Sequence, residues 1–121
     1  MANPTIVTFR GVTKRFISAK EAYVWLLNRF FEAKPTVFTD DSFESLLMPA
    51  GTKRLYFAPT PKELFAHNPQ LADNPSFYYQ LASGWYADIN LSNQRKLKNL
   101  RTFSKVAALE QGRDWDWQVL P

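Results

Sequence analysis

Residues 5–21, TIVTFRGVTKRFISAKE, hold the local signals that decide the fold class. TIVTF and VTKRFIS are two runs rich in β-branched and aromatic residues, separated by Arg10–Gly11. Glycine tolerates the positive φ that a tight two-residue turn requires, so 5–18 is predicted to be a β-hairpin. Ser18 then opens S-A-K-E, in which a hydroxyl accepts from the third helical amide and Glu21 reaches back. That capping box starts a helix through AYVWLLNRFFEAK, which Pro35 stops. Helical spacing makes Trp25, Leu26 and Phe30 its core candidates. A hairpin running directly into an amphipathic helix points to an α+β domain.

The same grammar extends along the chain. Residues 36–51 read as a loop with a short helix starting near Asp41 or Ser42, and KRLYFA (53–58) as a strand. T-P-K-E at 60–63 is a second capping box, with Pro61 where its missing N–H costs nothing. Asn-Pro pairs at 68–69 and 74–75 favour a series of short helical pieces up to Gly84. WYADINL (85–91) reads as a strand. Ser92 or Asn93 caps a long helix over 93–111, with Gly112 at its end. The closing RDWDWQVL alternates acid and aromatic residues, as a half-buried strand needs, with Trp115, Trp117 and Val119 inward and Asp114 and Asp116 outward. The expectation is a single compact domain over 1–121. It is α+β, with a mixed or antiparallel sheet (N-terminal hairpin, strands near 53–58, 85–91 and 114–120). Two main helices (18–34 and 93–111) and short helices between them pack on that sheet.

Composition narrows the function. The chain has 121 residues, 19 of them aromatic (10 Phe, 5 Tyr, 4 Trp), which makes a core feasible at this length. It has no cysteine, which excludes disulfides, thiolate metal sites and cysteine nucleophiles. No apolar run is long enough to span a bilayer, and MANPTIVTF lacks the pattern of a signal peptide, so a soluble, cytoplasmic protein with no membrane role is expected. Net charge is +4, distributed as +4 over residues 1–37, −3 over 38–91 and +3 over 92–121. A basic–acidic–basic chain suits an anionic partner.

Three functional readings follow. In the first, Arg95, Lys98, Arg101 and Lys105 share one arc of the last helix, opposite Leu97, Leu100, Phe103 and Ala107. They could neutralise a phosphate backbone and release its counterions. Lys14 and Arg15 in the hairpin would add to this if they shared that face. Aromatics near these cations (Tyr78, Tyr79, Trp85, Tyr86) could stack on unpaired bases. Lys96, near the apolar arc, must snorkel or find a partner. In the second reading the aromatic-rich surface binds protein, as an adaptor or inhibitor of a larger complex. The acidic middle, with Asp40, Asp41, Glu44 and Asp73 among apolar residues, is a candidate for that surface. In the third, Asp88, Asp114 and Asp116, beside Asn90, hold Mg²⁺ in a nuclease-like site. The single histidine, His67, sits near a helix end, and no phosphate-cradling glycine loop is present. The expectation is therefore a non-enzymatic binding domain without metal or cofactor, with nucleic acid as the first partner and protein as the second.

Overall fold

The computed structural model describes residues 4–36 and 55–120. The hairpin forms as the sequence implies. β1 (Thr5–Phe9) pairs antiparallel with β2 (Val12–Phe16), Phe9 opposite Val12. Both turn residues have positive φ, 48° at Arg10 and 85° at Gly11, the combination that matches the right-handed twist of the flanking strands. Ser18 Oγ accepts from the Glu21 amide at 3.3 Å, and α1 (Ala19–Ala33) follows.

β1 is the central strand of its sheet. On its other side lies β6 (Trp115–Val119), antiparallel, with Val7 opposite Trp117 and Phe9 opposite Trp115. Thr5, Val7 and Phe9 are buried on the face that α1 covers, together with Trp115 and Trp117. Ile6, Thr8, Asp116 and Gln118 fall on the other face, as period-two alternation dictates. The DWDW tail is thus a core strand with a wet acidic side.

A second antiparallel sheet, in the order β3-β5-β4, holds β3 (Phe57–Ala58), β5 (Tyr86–Asp88) and β4 (Tyr78–Gln80). Between β3 and β4, Thr60 Oγ1 caps the short α2 (Pro61–Leu64) by accepting from the Glu63 amide at 3.2 Å. The two sheets are joined through α3 (Asn93–Val106), which lies beside α1 and runs in the same direction. Asn99 meets Tyr23, Phe103 meets Phe30, and the Val106 carbonyl accepts from Lys34. Aromatic rings connect the layers: Phe30 contacts Phe9 at 6.1 Å and Trp115 at 5.3 Å from sheet one, and Phe103 contacts Phe57 of sheet two at 5.7 Å.

The α+β class and the two main helices agree with the sequence reading, but four expectations are corrected. There are two three-stranded sheets instead of one. Residues 78–80, expected within a series of helical pieces, form β4, because Tyr79 and Gln80 pair with Ala87 and Tyr86; only 69–73 and 75–77 are 3₁₀ turns. The regular strand expected over 85–91 is confined to Tyr86–Asp88. α3 stops at Val106, not at 111: the Leu109 amide closes back on the Ser104 carbonyl at 2.7 Å, and Ala108 takes the left-handed conformation, φ 58°. This is a Schellman-type end with alanine where glycine is usual. The loop and helix expected near Asp41, and the start of the strand expected at 53–58, lie outside the described residues; within them that strand is Phe57–Ala58.

Candidate nucleic-acid interface

α3 begins where Ser92 Oγ accepts from the Arg95 amide at 3.1 Å. Its inner stripe of Lys96, Asn99, Leu100, Phe103 and Ser104 is buried. Lys98, Arg101 and Lys105 are exposed on successive turns of the outer stripe. Arg95 is half-buried, its guanidinium 5.3 Å from the centre of the Tyr56 ring. Arg101 Nε donates to Gln111 Oε1 at 2.9 Å, and Gln111 in turn donates to Asp116. That ties Arg101, exposed as a residue, to the loop after the helix. Among the described residues, neither Lys98 nor Lys105 is paired with a carboxylate.

Lys96 resolves as a structural residue. It is 3% exposed and its Nζ donates to the Leu91 carbonyl at 2.7 Å. Burial lowers its pKa from the usual lysine value, Lys20 lowers it further, and Asp88 opposes the shift. One helical turn on, the Asn99 amide donates to the Tyr23 hydroxyl at 3.2 Å. Burial drives that phenol well above its ordinary pKa, so it remains protonated.

The hairpin cations do not extend the α3 surface. Residues opposite one another in an antiparallel pair share a face, so Lys14, opposite Val7, lies on the α1 side of the sheet. Arg15, opposite Ile6, lies on the outer side. Lys14 Nζ stands 5.6 Å from the Trp25 ring centre. Trp25 is about 200° round α1 from Tyr23, the residue that touches α3. Lys14 and the α3 cations therefore flank opposite sides of α1, and Arg15 lies on the far face of the sheet.

Of the four aromatics offered for stacking, Tyr79 alone is exposed, at 49%. Tyr78 packs edge-on to Tyr86 at 5.7 Å and against Phe65 at 6.1 Å, over the small core of Leu64 and Phe65. Trp85 packs half-buried on the main core.

The carboxylates do not converge. Asp88 is fully buried in sheet two, where its Oδ1 accepts from the Asn90 amide at 3.0 Å. Asp114 accepts from Arg113 and from the Glu110 amide, contacts that hold its pKa below the usual carboxylate range. Asp116 lies on the outer face of β6. Among the described residues, no three His, Cys, Asp or Glu side chains are grouped to hold a metal ion, and no helix is long and apolar enough to cross a membrane. His67 is exposed beyond the end of α2, its ring 6.2 Å from that of Phe65.

One surface escaped the sequence reading. A groove of about 400 Å³ lies between the N-terminal half of α1 and the edge of sheet two, lined by Phe16, Val24, Trp25, Tyr79 and Ile89, with Lys20, Glu21 and Asn28. Helical spacing suggested a core position for Trp25, yet it is half-buried against Phe16, 5.9 Å between ring centres. The available signal was Ile17, a large aliphatic residue just before the Ser18 cap. Such a residue often packs back on the first turn; here it is 76% exposed.

Compared with known protein families, curated proteins and solved structures, the chain matches none.

Proposed function

We propose that this protein is a non-enzymatic binding domain that contacts nucleic acid through the outer face of α3. The observation that carries the reading is the row of Lys98, Arg101 and Lys105, exposed along one stripe with no ion-paired carboxylate among the described residues, with Arg95 beside it. Surface cations on a helix commonly face acids three or four residues away. α3 contains no acidic residue, so the positive potential of its outer face is not neutralised from within the helix. From Lys98 to Lys105 the axis advances about 10 Å, the axial rise of about three nucleotides of one strand. The hairpin cations belong to a different surface and take no part.

The test is fluorescence anisotropy of labelled duplex and single-stranded oligonucleotides over a salt series. Three phosphate contacts give a slope of log K against log salt of about −2.7 on duplex and about −2 on a single strand. Replacing Lys98, Arg101 and Lys105 by Glu should abolish binding, while Arg15→Glu leaves it within about twofold. Negligible binding at low salt, or binding that the triple variant retains, would refute the reading.

A further inference from the structure

The groove beside α1 supports a second interaction surface. It adjoins another depression, of about 290 Å³, lined by Pro4, Arg15, Phe16 and Ile17. Phe16 lines both, so the two depressions meet at its ring and together set out an apolar track of Ile17, Phe16, Trp25, Tyr79 and Ile89. Single exposed apolar residues are ordinary on a protein surface, whereas a contiguous row with two large aromatics marks a contact surface.

The charges beside this track are lopsided. Lys14 stands over Trp25, Lys20 lines the groove, and Arg15 lines the adjoining depression. Against these three cations the lining holds, among the described residues, one carboxylate, Glu21. Arg29 also lies over Trp25, at 5.3 Å, and is neutralised by Glu32 at 2.6 Å. Among the described residues, none of Lys14, Arg15 and Lys20 has a carboxylate partner.

We infer that this track binds a short acidic segment of a partner protein, with large apolar side chains seated between Trp25 and Tyr79 and carboxylates facing Lys14, Arg15 and Lys20. Charge complementarity selects the acidic partner. The Trp25 ring selects a peptide over an unpaired nucleic-acid strand, because two cations already stand over it and a base would have to displace them before stacking. Aliphatic Ile17, Val24 and Ile89 suit Leu or Phe side chains, not flat polar bases.

An NMR titration of the ¹⁵N-labelled chain tests this. The probes are a synthetic peptide alternating Asp or Glu with Leu and Phe, its counterpart with Lys in place of the acids, and an oligothymidine. The acidic peptide should saturably shift Ile17, the Trp25 indole, Tyr79 and Ile89, and the Lys peptide should leave them unmoved. Ile17→Asp and Tyr79→Ser, both at exposed positions, should weaken the acidic peptide ~10-fold or more with unchanged thermal unfolding. The α3 triple-Glu variant should bind that peptide as the unmodified chain does, which separates this surface from the phosphate face. Failure of the acidic peptide to bind, equal binding of the Lys peptide, shifts confined to α3, oligothymidine occupying the groove in its place, or closure of the groove by self-association would each overturn the proposal.

Discussion

Trp115 gives the sharpest test of how the core is assembled. Its side chain is 1% exposed, its ring meets Phe30 edge-on at 5.3 Å, and its buried indole Nε1 has no hydrogen-bond partner among the described residues. Truncation to alanine removes the ring from the meeting point of sheet one and α1 and should cost ~3–5 kcal/mol. Phenylalanine is the more informative replacement. Within the ~150–250 Å² that aromatic side chains bury, Trp and Phe differ by about 50 Å². At ~25 cal/mol per Å² the smaller ring forfeits about 1 kcal/mol. Burying an unsatisfied donor costs ~1–3 kcal/mol, and Trp115→Phe removes that cost while keeping a ring against Phe30. Together the two effects place the Phe variant between no change and a gain of about 2 kcal/mol. Urea unfolding followed by far-UV circular dichroism reads both variants without relying on tryptophan emission. With a slope of about 2 kcal/mol per molar, the Ala variant should lower the midpoint by about 2 M and the Phe variant should leave it unchanged or raise it by up to about 1 M. A loss above about 2 kcal/mol in Trp115→Phe would refute the claim that the indole N–H is unpaired.

Three further predictions concern single contacts. Ala108→Gly relieves a left-handed alanine and should stabilise the fold by about 0.5–1 kcal/mol, read as a raised urea midpoint; a lower midpoint would contradict the strained helix end. Tyr23→Phe leaves the buried Asn99 amide without the hydroxyl it donates to and should cost ~1–3 kcal/mol by the same assay, whereas Tyr23→Phe with Asn99→Leu should recover part of that loss. Asp114 has a folded pKa below its ordinary value, so its stabilisation is present above the unfolded carboxylate range and is lost as pH falls through the lower folded pKa. The midpoint difference between the unmodified chain and Asp114→Asn should therefore shrink between pH 5 and pH 2; a constant difference would mean that the charge is not its source.

Elements that begin with a local chemical signal were legible in the sequence. Ser18, Thr60 and Ser92 each fix a helix start through their own hydroxyl, and Arg10–Gly11 fixes the hairpin register. The closing strand was legible because its burial alternates along the chain, and Lys96 because a cation next to an apolar arc needs a partner. What failed carries no such signal in its own residues. Tyr78–Gln80 sits among turn-favouring Asn-Pro pairs and becomes a strand only because β5 lies beside it. The end of α3 has no glycine to announce it, because Ala108 accepts the strained conformation itself. Within the candidate site, the outward stripe of α3 could be read from the helical period. The separation of Lys14 and Arg15 from it could not, since that follows from α1 lying between the hairpin and α3.

The placement of β1 has a kinetic consequence. β1 pairs on one side with its immediate neighbour in the chain and on the other with β6, and the backbone bonds from Arg10 to Asp114 and from Leu120 to Pro4 bracket that long-range pairing. The hairpin can close as soon as it emerges from the ribosome, but β1 then has one backbone edge open until Trp115–Val119 has been made. Pairing across so large a separation requires the intervening chain to be ordered first, which slows folding. Until then the unfilled seat beside β1 is a template for any other extended chain, including the hairpin of a second nascent copy. The arrival of Trp115 and Trp117 therefore does more than complete the core: it withdraws the strand most open to misassembly from competition.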